Sequence, residues 1–333
     1  MRKVFERFFG VCVMTVLYVL MGGTGTLEGQ DVRIVDEAIN LKQHPVQFDR
    51  DLGVSVARIG EGRLHQVDAT LVEIPPGGKL PAHRHLAEEM LYIVSGSGYT
   101  EMWNASGAKK ERYQWTAGDL LSPTLNAWHE HSNPSPDTPA RYLSITTAPL
   151  TKNMFQNPAV LSSTDVRFEE RWNQAVTQQP EYFKDAPEGA ASVRMSVGHL
   201  LPNLRNRKMK DRGIGMSGIT ILPDGDMAGN QLIEMEVREF TDPNATAHYH
   251  RHLWEVVYVV LKGEGYTVLQ REGEPERRVN WREGDLFIVE ANEFHDNRPN
   301  GGPGASRLQM KASGYFRRIG IDPYLMENKP GWD

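Results

Sequence analysis

The sequence predicts an all-β protein made by tandem duplication, and three observations carry that reading. Residues 83–100, HRHLAEEMLYIVSGSGYT, align without a gap on residues 250–267, HRHLWEVVYVVLKGEGYT, at an offset of 167. Residues 115–129, WTAGDLLSPTLNAWH, align on residues 281–295, WREGDLFIVEANEFH, at an offset of 166. Within these blocks lie short β-branched and apolar runs closed by Gly, Pro, Asn and Asp, while helical periodicity is scarce. The one-residue slip between the blocks is what a change in loop length gives. An offset near half of a 333-residue chain means two equivalent halves.

In chain order, residues 1–28 come first. Arg2, Lys3 and Arg7 precede the uncharged run FFGVCVMTVLYVLM, and small residues follow from Gly22 to Thr26. That order predicts a signal peptide or an uncleaved N-terminal anchor, and so an exported protein, periplasmic or secreted. Cys12, inside this run, is the only cysteine, so a processed chain would have no disulfide and no thiolate chemistry.

Residues 29–150 form the predicted first domain. Met90–Val94 reads as a strand closed by the Gly96-x-Gly98 turn, and Leu120-Leu121 follows a second turn at Gly118-Asp119. Residues 151–190 read as a partly helical connector. A helix is expected from about Asp165 to Val176 with Thr164 or Asp165 at its N-cap. Phe155, Phe168, Trp172, Tyr182 and Phe183 are expected to need burial, making the connector an ordered crossover. Residues 191–333 repeat the first domain, with Val256–Leu261, the Gly263-x-Gly265 turn and Leu286–Val289 in equivalent places. Neither Gly-x-Gly opens a helix, so neither is a phosphate loop.

The balance of 37 basic and 43 acidic residues, with no long basic run, argues against a nucleic-acid partner. No second apolar segment approaches spanning length, so no membrane association is expected beyond the N-terminal anchor. The sequence leaves room for a homo-oligomer and implies a small-molecule substrate as partner.

Eight of the eleven histidines fall in four short windows: His83 and His85; His129 and His131; His248, His250 and His252; and His295. His44, His65 and His199 are scattered and read as structural or exposed. On a strand, residues i and i+2 share a face, so His83 and His85 can converge on one cation. Glu89 follows four residues later, and His129 arrives from another strand. Three imidazoles and a carboxylate leave positions open on an octahedral ion, which suits Fe(II) or Mn(II) and is compatible with zinc. His131, two residues beyond His129, is the candidate catalytic base or substrate contact; its counterpart is Asn297. Arg84 and Arg251, between the ligand positions, are expected to point away from the metal. In the second half Val256 stands where Glu89 stands, so the carboxylate is missing and His250, His252 and His295 remain as metal ligands. An alternative frame uses His248, His250 and Glu255.

The pattern His83-x-His85-x-x-x-Glu89-x6-Gly96, followed by Gly118-Asp119 and His129, resembles the two motifs of the cupin family, here present twice. The resemblance covers about residues 70–147 and 236–312. It implies two tandem cupin β-jelly-roll barrels, each with its metal inside, and His83, His85, Glu89 and His129 as the ligands of the first. The chain departs from the pattern before His129, where Pro123 leads into Thr124-Leu125-Asn126-Ala127 in place of Pro-x-Gly, so a loop of different shape is expected there.

Locally the chain is similar to gentisate 1,2-dioxygenase-like two-barrel cupins, through His-Arg-His in both halves and Trp128-His129-Glu130-His131-Ser132-Asn133. That resemblance implies a non-haem oxygenase acting on a small aromatic or organic acid. Glu89 and the export signal depart from it. They fit better an oxalate-decarboxylase-like, quercetinase-like or isomerase cupin enzyme, and a non-enzymatic exported small-molecule-binding protein is the third reading.

Overall fold

The computed structural model describes residues 37–162, 164–178, 182–184, 193–207, 209–211, 215–245, 248–321 and 326–328. The expected signal segment and Cys12 lie outside these residues. Among the described residues no helix is long and apolar enough to cross a membrane.

Two barrels are present, each made of one large and one small sheet. In the first, the large sheet runs in the order Leu200–Leu201, Leu120–Leu121, Glu89–Ser95, Ala140–Thr146, Asp68–Ile74, Val54–Ile59, Gln47–Asp49. Its small sheet runs Lys79–His83, Trp128–Ser132, Ser97–Trp103, Glu111–Thr116. In the second barrel the large sheet centres on Asp285–Val289, Val256–Lys262, Ser306–Lys311, Glu234–Phe240 and Met216–Ile221. Its small sheet runs Arg277–Arg282, Glu264–Gln270, Phe294–Pro299, His250–His252, Met326–Asn328.

The repeated apolar runs are explained by burial on both faces. Leu91 and Ile93 point into the first barrel, while Met90, Tyr92 and Val94 join a core shared with the other half. Val256, Tyr258 and Val260 likewise face the second barrel's interior, and Val257, Val259 and Leu261 enter the shared core. A strand covered on both sides cannot alternate apolar with polar, so it reads as a continuous run. Tyr92 is therefore part of the packing between the large sheets and does not line the first barrel's interior.

Two short strands cross between the halves. Ile39–Asn40 pairs with Asp285-Leu286 at the edge of the second barrel's large sheet, and Leu200–Leu201 pairs with Leu120–Leu121 of the first. Each covers a sheet edge that would otherwise expose unpaired backbone groups. A pair of carboxylates reinforces this exchange. Glu88 accepts from the backbone N–H groups of Gln231 and Leu232, at 2.8 and 2.7 Å, and from Arg171 at 2.9 Å. Glu255, its repeat equivalent, accepts from the N–H groups of His65, Gln66 and Val67 at 2.8, 2.9 and 3.4 Å. Glu255 is thus committed to the opposite half of the chain, which removes it from the alternative ligand frame.

The Gly-x-Gly turns have two distinct physical causes. Gly96 and Gly263 have φ of +76° and +72°, the left-handed region open to glycine. Gly98 and Gly265 lie beneath Trp115 and Trp281, and a Cβ at either would overlap the indole ring and a neighbouring strand's carbonyl.

The connector is partly helical as expected, but its helix starts later than expected. Its second helix spans Glu169–Thr177, with Phe168 at the N-cap and no side-chain capping bond. Asp165 stands three residues before that cap position and pairs with Arg84. An additional helix, Ala148–Phe155, precedes it. Phe155 is 57% exposed, contrary to the expected burial, whereas Trp172 packs on the first barrel's core. The side chains of Tyr182 and Phe183 are outside what the structure describes.

Candidate metal centre

His83 ends the strand Lys79–His83 and stands directly opposite His129 on Trp128–Ser132. His85 follows in the loop, and Glu89 opens the strand Glu89–Ser95. The four meet inside the first barrel, with the ring centroids of His83 and His129 4.1 Å apart and those of His85 and His129 5.2 Å apart. One donor atom from each histidine lies within 4.8 Å of the other two.

Hydrogen bonding fixes which nitrogen each ring presents. His83 Nδ1 lies 2.8 Å from the Pro81 carbonyl, His85 Nδ1 2.9 Å from that of Ala87, and His129 Nδ1 2.9 Å from that of Ala127. A carbonyl oxygen only accepts, so each Nδ1 carries the proton and donates. The Nε2 lone pairs are left free and turn inward, the arrangement that orients histidine toward a metal.

Glu89 Oε2 lies 3.3 Å from His85 Nε2 and 3.4 Å from His129 Nε2. Among the described residues neither Glu89 Oε2 nor His129 Nε2 has a hydrogen-bond partner, and both are buried. Acceptors meeting at this spacing repel unless a cation lies between them. Two ligands about 2.1 Å from an ion and at right angles to each other stand about 3 Å apart. The donor set therefore fits a divalent metal. The other carboxylate oxygen of Glu89 accepts from Ser144 Oγ, which holds the group in place. Burial pushes the Glu89 carboxyl up, but the His129 and His85 rings beside it bring it well below the usual range. Burial and the crowding of His129 and His85 hold His83 well below the ordinary imidazole value.

His131 is buried on the same strand, its ring 6.0 Å from His83 and 5.2 Å from Tyr142. Trp115 Nε1 donates to Thr100 Oγ1 at 3.0 Å, and Thr100 Oγ1 lies 2.8 Å from His131 Nδ1. The hydroxyl, having accepted from the indole, has its own proton to give, so His131 Nδ1 accepts and Nε2 carries the ring proton. The repeat supports this polarity: Trp281 donates to Thr267, and Thr267 donates to the carbonyl oxygen of Asn297 at 2.7 Å. His131 Nε2 has no hydrogen-bond partner among the described residues. Burial and His129 lower its pKa to about 3, so the ring stays neutral and offers an N–H donor. The expected base is in this state a donor.

The second half repeats the imidazole geometry without the carboxylate. His250 stands opposite His295, and His250, His252 and His295 bring donor atoms within 4.8 Å of one another. Their Nδ1 atoms lie 2.7, 2.8 and 3.0 Å from the carbonyls of His248, Trp254 and Glu293, so they too present Nε2. Lys311, buried nearby, adds to burial in depressing all three rings. His248, at φ +61°, contributes its backbone carbonyl.

The loop before His129 makes the same left-handed turn as its counterpart in the second half. Asn126, at φ +58°, and Asn292, at φ +62°, stand three residues before the final histidine in the two halves. Asparagine tolerates this conformation well enough to take the place of glycine. Arg84 and Arg251 point away from the clusters, over the Trp128 and Phe294 rings. Of the scattered histidines, His65 is exposed, His44 half-buried, and His199 buried with Nδ1 donating to the Ser122 carbonyl at 2.9 Å. Sequence reasoning missed Ser144 and Thr100. Thr100 lies in the repeated Gly-x-Gly-Tyr-Thr block, and its recurrence as Thr267 was the available signal.

Residues 70–146 match the cupin domain family. Gentisate 1,2-dioxygenase from Haloferax sp is 24% identical over 297 residues, covering 80% of this chain and 77% of the relative. A mutant salicylate 1,2-dioxygenase from Pseudoaminobacter salicylatoxidans, solved in complex with gentisate, superposes with a TM-score of 0.60 at 15% identity. It covers 86% of this chain and 80% of that one. An oxalate decarboxylase mutant from Bacillus subtilis superposes with a TM-score of 0.54 at 13% identity, covering 89% and 80%. Residues 70–146 are thus a cupin domain, and the chain has the fold of a two-barrel cupin resembling gentisate 1,2-dioxygenase.

Proposed function

We propose that the protein is a metal-dependent non-haem oxygenase that acts on a small aromatic or organic acid in its first barrel. The observation that carries this is the convergence of His83, His85 and His129 Nε2 with the Glu89 carboxylate, a set whose acceptors need a cation between them. The resemblance to gentisate dioxygenase supplies the reaction class. Fe(II) is the proposed metal, with Mn(II) next; His250, His252 and His295 form the proposed accessory set.

When bound, the metal supplies a Lewis acid with coordination positions open to outside ligands. The protein's own groups do the rest. Glu89, anchored by Ser144, holds negative charge against the cation. His131 Nε2–H donates to an oxygen of the substrate and, being neutral, adds no charge to repel the metal. Leu91, Ile93, Met102 and Tyr142 wall the interior with apolar surface, which excludes water and suits a flat ring.

Glu89 and the second histidine set favour a second reading, an oxalate-decarboxylase-like or isomerase enzyme. A non-enzymatic exported binding protein is the third. Export rests on the residue order of 1–28 alone, and N-terminal sequencing of secreted material tests it.

The deciding experiment is metal content of the untagged chain with His83→Ala and Glu89→Gln beside it, followed by oxygen uptake with gentisate and salicylate. About one iron per chain, lost in His83→Ala, with oxygen consumption, supports the oxygenase. Manganese with oxalate consumption and no oxygen uptake supports the second reading. No metal after reconstitution overturns both.

A further inference from the structure

The second barrel's interior differs from the first in charge, and the strand register shows where. Arg307 stands opposite Val260 and Arg238, as Tyr142 stands opposite Ile93 and Val72 in the first barrel. Lys311 stands opposite Glu234, as Thr146 stands opposite Asp68. Val256 takes the place of Glu89, and Asn297 that of His131. An apolar and phenolic wall has been exchanged for guanidinium groups, at a site that has also lost its metal-facing carboxylate.

Most of the introduced charge is balanced internally. Lys311 Nζ lies 3.2 Å from Glu234 and 3.6 Å from Glu236, and Arg238 lies 2.6 Å from Glu236. Two carboxylates thus meet two cations. Arg307 has no ion pair of its own, and Asp296 and Glu236 act on it only from beyond ion-pair distance. It is 1% exposed, and among the described residues no carboxylate pairs with it. Its Nε and Nη1 have no hydrogen-bond partner among the described residues. Phe240 lies 4.5 Å, Trp281 5.5 Å and Tyr258 5.7 Å from the guanidinium carbon. Ring faces attract a cation but do not satisfy N–H donors in its plane. Arg238, directly across the sheet, adds a like charge, which by itself destabilises such a pair. Buried charges are paired in stable proteins, and an orphaned buried guanidinium next to a second one lacks an anion. Burial lowers Arg307 only to about 10, so it is charged at neutral pH, and its field reaches His295.

We propose that the second barrel is a binding site for a small organic carboxylate, whose anionic head is received by Arg307. The planar fork of the guanidinium matches a carboxylate in two parallel hydrogen bonds. The Asn297 amide and the Tyr258 hydroxyl, 3.5 Å apart in the same interior, provide further polar contacts. The site needs no catalysis in the first barrel and stands whether or not that barrel is an oxygenase.

The test uses the full metal-loaded chain. Acetate and benzoate are titrated calorimetrically into wild type, Arg307→Met and Arg307→Lys, with Tm measured without ligand. Crystals of the unaltered protein are soaked with 4-bromobenzoate, and bromine is located by anomalous diffraction. The expected results are a bromine in the second barrel, at least tenfold weaker binding at that site in Arg307→Met, partial recovery in Arg307→Lys, and an unliganded Tm unchanged or raised in Arg307→Met. If Arg307→Met does not fold, the bromine position and Arg307→Lys decide. Bromine in the first barrel only, or no bromine, overturns the proposal. So does a folded Arg307→Met with unchanged carboxylate binding, and a lowered Tm with no wild-type binding would assign Arg307 to aromatic packing alone.

Discussion

Replacing Glu255 by Ala tests whether the two halves are held by reciprocal carboxylates. The side chain accepts two short backbone bonds, from His65 at 2.8 Å and Gln66 at 2.9 Å, and a long one from Val67 at 3.4 Å. Hydrogen bonds to a charged group contribute about 1.5–3 kcal/mol each, giving roughly 3–6 kcal/mol for the two short ones. His65 is exposed, so water regains part of this, and about 3 kcal/mol is the expected loss. For a chain of 333 residues that lowers Tm by roughly 4–5 °C. Glu255→Gln keeps one acceptor oxygen but turns an NH2 group toward a backbone N–H, so it should lose at least half as much. The assay is urea unfolding followed by tryptophan fluorescence, with calorimetric Tm beside it. Glu88→Ala should behave alike, and the double variant should be additive within about 0.5 kcal/mol if the two clamps share no partner. A Glu255→Ala protein within about 2 °C of wild type would refute the clamp.

Three further outcomes follow from the geometry. His199 is buried with its pKa lowered to about 4, against 6.5 for the unfolded chain. The unfolded state therefore binds the extra proton first, and stability falls as pH drops from 6.5 toward 4, by about 3 kcal/mol; His199→Asn, whose amide can still donate to Ser122, should flatten that slope in denaturation at stepped pH. Gly98→Ala forces a methyl into the Trp115 ring and should cost about 1–3 kcal/mol, with red-shifted tryptophan emission as the accompanying sign. Thr100→Val strands the Trp115 N–H and His131 Nδ1 and releases the His131 tautomer. Metal content should stay constant while kcat falls, and Thr100→Ser should restore it; equal rates in all three would remove Thr100 from the positioning of His131.

What the sequence made legible, and what it did not, divides at the range of the interaction. The His-x-His spacing puts His250 and His252 on one face of a strand, whereas His83 ends its strand and His85 turns in from the loop beyond it. The same period separates Glu89, which faces the metal cluster, from Glu88, which faces away. It does not say that Glu88 would be met by the N–H groups of Gln231 and Leu232, about 140 residues along the chain. The connector's helix was legible but its start was not: Asp165 has the composition of a helix cap, yet it pairs with Arg84, 81 residues earlier, and the helix opens at Glu169. Duplication extended the reach of the sequence, because each position has an internal control. Comparing the halves shows that the imidazoles were kept while the groups around them were exchanged: Glu89 for Val256, His131 for Asn297, Tyr142 for Arg307. A metal site built on three neutral imidazoles takes much of its charge preference from such neighbours. The first barrel brings a carboxylate and a neutral donor to its histidines, which favours a cation and an oxygen-bearing substrate. The second has Val256 in place of that carboxylate and adds Arg307, which has no ion pair among the described residues, beside Lys311, whose charge Glu234 and Glu236 meet. One fold, copied once, therefore sets different charged groups around the same three histidines.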